Sequence, residues 1–288
     1  MRLNEIHIRD PFILPVDGVY YLYGSRGWET WLDHASGLDV YTSRDLENWS
    51  GPTQVFTPPA GFWADRNFWA PEVHAYRGAY YMLASFKSAS ACRGTQILRA
   101  ATPLGPFLPH SDDPVTPRDW ECLDGTLHVD RDGKPWMVFC HEWVQVGDGE
   151  ICALPLAEDL SAASGEPRLL FRASEPEWSD GKTGAFTTDG PFLYASSSGR
   201  LLMLWSGFSQ RRYVQALAVS ESGRVQGPWR QAGLLYQADG GHGMVFRTFS
   251  GALKMILHTP NPTPQERPLI LALEEKDGML HAVKEETA

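Results

Sequence analysis

Apolar and aromatic residues gather in short runs along this chain. Each run is opened by a glycine turn, and the same phrase returns five times. The copies are Gly18-Val-Tyr-Tyr-Leu-Tyr23, Gly78-Ala-Tyr-Tyr-Met-Leu83, Gly133-Lys-Pro-Trp-Met-Val138, Gly199-Arg-Leu-Leu-Met-Leu204 and Gly251-Ala-Leu-Lys-Met-Ile256. Their glycines fall 60, 55, 66 and 52 residues apart. A repeat of that length, made of strands and turns, predicts the blades of a β-propeller. In each repeat a first strand precedes the glycine, over residues 10–14, 71–74, 124–129, 189–194 and 242–246. The phrase itself is the second strand. Third strands are predicted at 38–42, 96–100, 151–154, 213–217 and 269–273, and short fourth runs follow, such as 54–56 and 234–236. Asp17-Gly18 and Asp132-Gly133 are hairpin-turn dipeptides, and no run sustains helical periodicity. The expectation is an all-β, five-bladed propeller with four antiparallel strands per blade, in a single domain over residues 1–288. The last run, 278–283, fits either an outer strand of blade five or a strand pairing near the N-terminus.

The residue that opens each first strand is polar: Asp10, Glu72, Asp124, Asp189 and His242. Inner strands of a propeller stand side by side around its axis, so these side chains are expected to meet in one axial pocket. Carboxylates that share a pocket are driven to different pKa values, which yields a general acid and a general base. Glycoside hydrolysis needs such a pair. Any single Asp-Gly or Asp-Pro is also a turn former; the recurrence of three at one place in the repeat is what points to Asp10, Asp124 and Asp189 as a catalytic group. His242, between Gly241 and Gly243, can enter the crowded axis without neighbouring Cβ atoms.

Insertions at about 26–37, 57–69, 86–94, 141–149 and 172–188 mostly adjoin the start of a first strand or the end of a second, which puts them on one face of the ring. Loops on one face of a rigid scaffold are where sites are built. They carry Trp31, Trp63, Trp69 and Trp143 together with Arg93, Glu121, Glu142 and Lys182. Sugar rings stack their apolar faces on indole and need charged or amide partners for their hydroxyls. The expected substrate contacts are Trp63, Trp69, Glu72, Arg93, Glu142 and Trp143, with Trp31, Trp63 and Trp143 closing the pocket around a chain end.

A net charge of −10 disfavours nucleic acid or an anionic membrane as partner. No apolar run approaches the length of a membrane span, and the first ten residues lack a secretory pattern, so the expected location is the cytoplasm. Cys92, Cys122, Cys140 and Cys152 form no closely spaced pair and read as buried reduced thiols rather than a zinc site. An oligosaccharide is the expected partner, for a monomer or small homo-oligomer.

Four motifs in order sharpen this picture: Arg9-Asp10-Pro11-Phe12, Trp69-Ala-Pro-Glu-Val73, Leu123-Asp124 with Val129-Asp130-Arg-Asp-Gly-Lys134, and Gly241-His242-Gly243. Together they resemble glycoside hydrolase family 43, and the likeness runs through all five repeats. The resemblance implies a five-bladed propeller and an inverting glycosidase, of the α-L-arabinofuranosidase, endo-arabinanase or β-xylosidase kind, with galactan-active members as well. It makes Asp10 the base that activates water and Asp124 the residue that tunes and orients the acid. It matches His242 to an axial histidine near a bound cation, often calcium, with water completing the shell. One position departs from the pattern. The family's acid is usually a Glu in Glu-Gly-Pro, whereas this chain has Asp189-Gly190-Pro191. Three readings follow: Asp189 is the acid, or Glu142 or else Glu121 has taken the role, or the chain binds carbohydrate without cleaving it.

Overall fold

The computed structural model describes residues 1–181 and 184–283. Among these, twenty strands form five four-stranded antiparallel sheets arranged in a ring, each sheet made of four consecutive strands. The inner strands are Ile8–Val16, Arg66–Tyr76, Cys122–Val129, Asp189–Ala195 and Gly241–Arg247. Helix is confined to single turns at Leu3–Glu5 and Trp143–Val146, and no helix of the described residues is long and apolar enough to cross a membrane. Met279–Ala282 pairs with Arg267–Lys276 and is therefore the outer strand of blade five.

The phrase glycines make the hairpins that join first to second strands. At Asp17-Gly18 the φ angles are 49° and 75°, and at Arg77-Gly78 they are 44° and 81°. Two successive positive φ values match the right-handed strand twist that a two-residue hairpin requires.

Each inner strand also carries an extra residue against its neighbour at one shared level, and blade two has a second such slip between Arg66 and Trp69. Arg9 faces Ser25 but the next pair is Phe12 and Tyr23. The same slip follows Trp69, Leu123, Asp189 and Gly241. The extra residues are Asp10, Ala70, Asp124, Gly190 and His242, all left-handed, with φ of 53°, 46°, 57°, 52° and 54°. Proline or glycine follows each of them. Such a bulge leaves one backbone N–H outside the ladder and redirects a side chain. Here the N–H of Ala70 donates to Ser25 Oγ (2.8 Å), that of Asp124 to Ser85 Oγ (2.9 Å) and that of His242 to Ser206 Oγ (2.8 Å). At the ring closure the Asp10 N–H donates to His258 Nδ1 at 3.2 Å. Every acceptor lies on the second strand of the preceding blade, seven residues after its phrase glycine. Blade three has Cys140 there, and the Gly190 N–H donates instead to Asp124 Oδ2 at 2.9 Å.

The true five-fold equivalence thus runs through Asp10, Ala70, Asp124, Gly190 and His242. Asp189 stands one residue before its bulge, and Glu72 two residues after its own. Between blades the core is aromatic and aliphatic, with Tyr23, Phe56, Phe86, Phe171 and Trp205 fully buried. On the axis Phe12 of blade one meets Phe192 of blade four edge-on at 6.3 Å. Blades one and four are not neighbours, so these rings touch across the channel and plug it below the bulges.

Replacing Trp205, whose indole packs between Phe171 and Trp178 and donates to Gln231 Oε1, by alanine should lower unfolding free energy by about 3–5 kcal/mol. Urea denaturation checks this, with Trp205→Phe expected to recover more than half of the loss.

Candidate active site

Above the plug lies a cavity of about 510 Å³, lined among others by Asp10, Asp124, Asp189, His242, Tyr213 and Glu142. The left-handed bulges aim the first two aspartates and the histidine at one another. His242 Nδ1 is 3.2 Å from Asp10 Oδ1 and 3.7 Å from Asp124 Oδ2. Ser25 Oγ donates to Asp10 Oδ2 at 2.5 Å. Asp189 enters from the position before a bulge, where its Oδ2 accepts the Tyr213 hydroxyl at 3.1 Å. The adjoining residue has to be glycine, because a Cβ on Gly190 would lie 2.8 Å from the His242 ring.

Burial works against charge on all three carboxyls, and their neighbours separate them. At Asp10 burial is outweighed by the His242 imidazole, the Arg9 guanidinium and the Ser25 hydroxyl, and its carboxyl is held below the usual value. At Asp189 burial dominates, reinforced by Asp124 and opposed by His242 and the Tyr213 hydroxyl, and the pKa is pushed up to about 7. Burial and the charge of Asp10 also raise Asp124 well above the usual range. Three acidic groups in one pocket titrate as a set; their neighbours push Asp10 toward the ionised form and Asp124 and Asp189 toward the protonated one.

One wall is a pair of indoles, each backed by a guanidinium. Arg9 lies over Trp31 (5.6 Å), Trp31 meets Trp69 edge-on (5.2 Å), and Arg93 backs Trp69 (4.2 Å). Indole N–H groups fix the order: Trp69 donates to Thr30 O and Trp31 to Thr263 Oγ1. Trp31 is 61% exposed and Trp143 38%, so both keep a free apolar face at the rim. Arg93 also pairs with Glu142, which lines the cavity as well.

Of the predicted contacts, Trp69, Glu142 and Trp143 line the cavity. Trp63 does not; it packs on Phe62 and Phe86 and its N–H donates to the buried Gln96. Glu72 lies lower on the axis, bonded to His74 at 2.9 Å, because the bulge shifts it two positions past the residue that faces the pocket. Arg93 stands behind Trp69 and Glu142 rather than in the cavity. Glu121 is taken up by Lys87 at 2.6 and 2.8 Å and by the Arg93 N–H. Burial opposes its charge but these partners hold its pKa below the usual value. At Glu142 burial wins over Arg93 and raises the pKa. Lys182 lies outside the described residues. Cys122, Cys140 and Cys152 are buried and Cys92 is half-buried, all four as free thiols.

His242 turns Nδ1 to the aspartates. Among the described residues no group of three or more His, Cys, Asp or Glu side chains is placed to hold a metal ion.

Several lining residues escaped the sequence reading: Thr30, Tyr213, Asn261 and Thr263. Asn261 and Thr263 belong to a proline-rich connection, Thr259-Pro-Asn-Pro-Thr-Pro264, between the second and third strands of blade five. That interruption of the strand pattern was the signal for them. Ser25 and His258 were legible as the seventh residues of their phrases.

Known proteins agree with this architecture. The sequence model of glycosyl hydrolases family 43 matches residues 4–280. A crystal structure of an endo-arabinase from Bacteroides thetaiotaomicron VPI-5482 superimposes with a TM-score of 0.89 at 41% identity, covering 96% of this chain and 98% of that one. The extracellular endo-α-(1→5)-L-arabinanase 1 of Bacillus subtilis (strain 168) is 27% identical over 150 residues, or 49% of this chain and 45% of its own length. A xylosidase/arabinosidase of Bacteroides ovatus is 26% identical over 221 residues, 66% of each chain. The chain thus spans less than half of the first curated relative and about two thirds of the second.

The raised pKa of Asp189 has a consequence for stability. Its folded-state value, about 7, exceeds the unfolded 3.8, so the folded state binds the extra proton between those values and loses stability as pH rises through them. Asp189→Asn removes the penalty. The variant should melt higher than the parent at pH 8, with the gap closing near pH 4, as followed by calorimetry across that range.

Proposed function

The chain belongs to glycosyl hydrolases family 43, and from that premise we propose that it cleaves α-L-arabinofuranosyl linkages of plant-type oligosaccharides with inversion, releasing a terminal sugar. The observation that carries this reading is the meeting of Asp10, Asp124 and Asp189 in one cavity walled by Trp31, Trp69 and Trp143, where their surroundings drive Asp10 and Asp189 to opposite sides of the usual carboxyl pKa. Asp10, ionised at neutral pH, takes a proton from water as that water attacks the anomeric carbon. Asp189, protonated up to about pH 7, gives its proton to the departing glycosidic oxygen. With Oδ2 accepting the Tyr213 hydroxyl, Oδ1 carries the proton to be given. Asp124 holds the Gly190 N–H and so orients the residue adjoining the acid. Trp31, Trp69 and Trp143 offer faces to sugar rings, and Glu142 offers a hydroxyl acceptor. The arabinose preference rests on likeness to arabinan-acting relatives.

Asp189 is favoured over its rivals for the acid. Glu121 is ionised and outside the cavity, and Glu142 shares its charge with Arg93. The wall that Trp31 and the Asn261–Thr263 connection raise beside the cavity favours a chain end. A second reading, cleavage within the chain, is favoured by the 41% identity to an endo-arabinase over nearly all of both chains. Products from debranched arabinan separate the two. Arabinose alone at early times supports terminal release, and a ladder of oligosaccharides supports internal cleavage. No turnover of any arabinoside, xyloside or galactofuranoside, with binding intact, leaves a carbohydrate-binding propeller.

Asp10→Asn should lower kcat/KM at least ~10³-fold on every substrate, and Asp189→Asn by about 10²–10⁴-fold on an arabino-oligosaccharide. Glu142→Gln should raise KM with kcat nearly kept; a dead Glu142→Gln beside a live Asp189→Asn would reverse the assignment of the acid. In the parent enzyme kcat/KM should fall above about pH 7 as Asp189 loses its proton, and this limb should vanish in Asp189→Asn.

A further inference from the structure

Four of the five bulge N–H groups are received by a side chain at one repeating position, which is serine in three blades and His258 in the fourth case. Serine therefore suffices for the clamp, and the imidazole must be explained by its other contacts. His258 is fully buried. Its Nδ1 accepts the Asp10 N–H at 3.2 Å, which leaves Nε2 as the protonated nitrogen, 3.4 Å from Asn261 Oδ1. Asn261 in turn holds the Arg9 guanidinium through Oδ1 at 2.7 Å and its carbonyl at 2.6 Å. The ring face of His258 stacks on Tyr213, with centroids 5.5 Å apart and planes 20° from parallel, and the Tyr213 hydroxyl is the partner of Asp189. One rigid ring thus touches the backbone of Asp10 at its edge and the holder of Asp189 at its face. Burial, with Arg9 nearby, drives the His258 pKa down to about 3, so the ring stays neutral and Nδ1 remains an acceptor.

Resting on the hydrolase reading above, we propose that His258 is a positioning residue that sets Asp10 and Asp189 relative to each other, through the Asp10 N–H on one side and Tyr213 on the other. It does not line the cavity, and although its Nδ1 stands 3.5 Å from Asp10 Oδ1, that nitrogen accepts the Asp10 N–H and carries no proton to the reaction. Its effect on the acid passes through Tyr213, so its removal falls most heavily on substrates whose leaving group needs a proton.

The test compares the parent enzyme, His258→Ser, Tyr213→Phe and the double variant on two substrates. One is an α-L-arabinofuranosyl oligosaccharide, which needs an acid. The other is 4-nitrophenyl α-L-arabinofuranoside, whose phenolate departs with little help. His258→Ser keeps an acceptor for the Asp10 N–H, as in the other blades. It should lose about tenfold or more in kcat on the oligosaccharide, less than about threefold on the nitrophenyl substrate, with KM changed less than kcat. The double variant should be no worse than Tyr213→Phe alone, since the two act as a unit. Equal losses on both substrates, additive losses in the double variant, or an unchanged His258→Ser would each overturn the proposal. Should His258→Ser fail to fold by near-ultraviolet circular dichroism, His258→Asn, which also offers an acceptor, carries the same comparison. A parent enzyme inactive on both substrates would sink the hydrolase reading itself.

Discussion

One extra residue at the same level of every inner strand, held left-handed and followed by proline or glycine, governs both the ring and its cavity. The bulge removes one N–H from each sheet and forces it onto the preceding blade. The same turn aims the side chain of the extra residue at the axis. Aspartate and histidine tolerate a positive φ better than most residues, and glycine does so freely. Ala70 has no such tolerance, and the Ser25 bond is what holds it there. At blade three the clamp position is a cysteine, a weak acceptor, and the orphaned N–H of Gly190 turns to the Asp124 carboxylate. The interruption of the repeat therefore falls where the site needs a carboxyl fixed.

Ring closure uses the same interactions. Among the described residues no strand is shared between the first and last blades. They meet instead through the Asp10–His258 bond, the Arg9–Asn261 pair and the packing of Tyr20 on Phe246 and Phe249. Loosening the closure would displace Asp10, so the stability of the fold and the geometry of the site are not separable at this seam. Electrostatics follow from the same crowding. Three carboxyls cannot all be charged in a buried pocket, and Arg9, His242 and Ser25 decide that Asp10 is the one that is.

Blade number, strand count and the meeting of Asp10, Asp124 and His242 were legible in the sequence, because the glycine phrase fixes phase to within a residue or two. That uncertainty was also its limit. A one-residue bulge is invisible to an alternation pattern, so the pattern aligns Glu72 and Asp189 with Asp10 although Ala70 and Gly190 are its true counterparts. Tryptophan content pointed to the cavity face but could not tell Trp69, whose face is open to the cavity, from Trp63, whose N–H is claimed by Gln96. The Thr259–Pro264 connection contributes a wall that no periodicity announces, since its role depends on Arg9 and Trp31 reaching it from the other end of the chain.

Protonation of Asp189 beside an ionised Asp10 is the claim on which the chemistry stands. It can be read directly by carbon-13 NMR of the parent protein labelled at aspartate carboxyls, with Asp10→Asn and Asp189→Asn for assignment. The account predicts an Asp189 signal that titrates near pH 7 while Asp10 stays ionised from below pH 4. An Asp189 carboxyl that titrates near 4, or an Asp10 that is protonated at neutral pH, would contradict it.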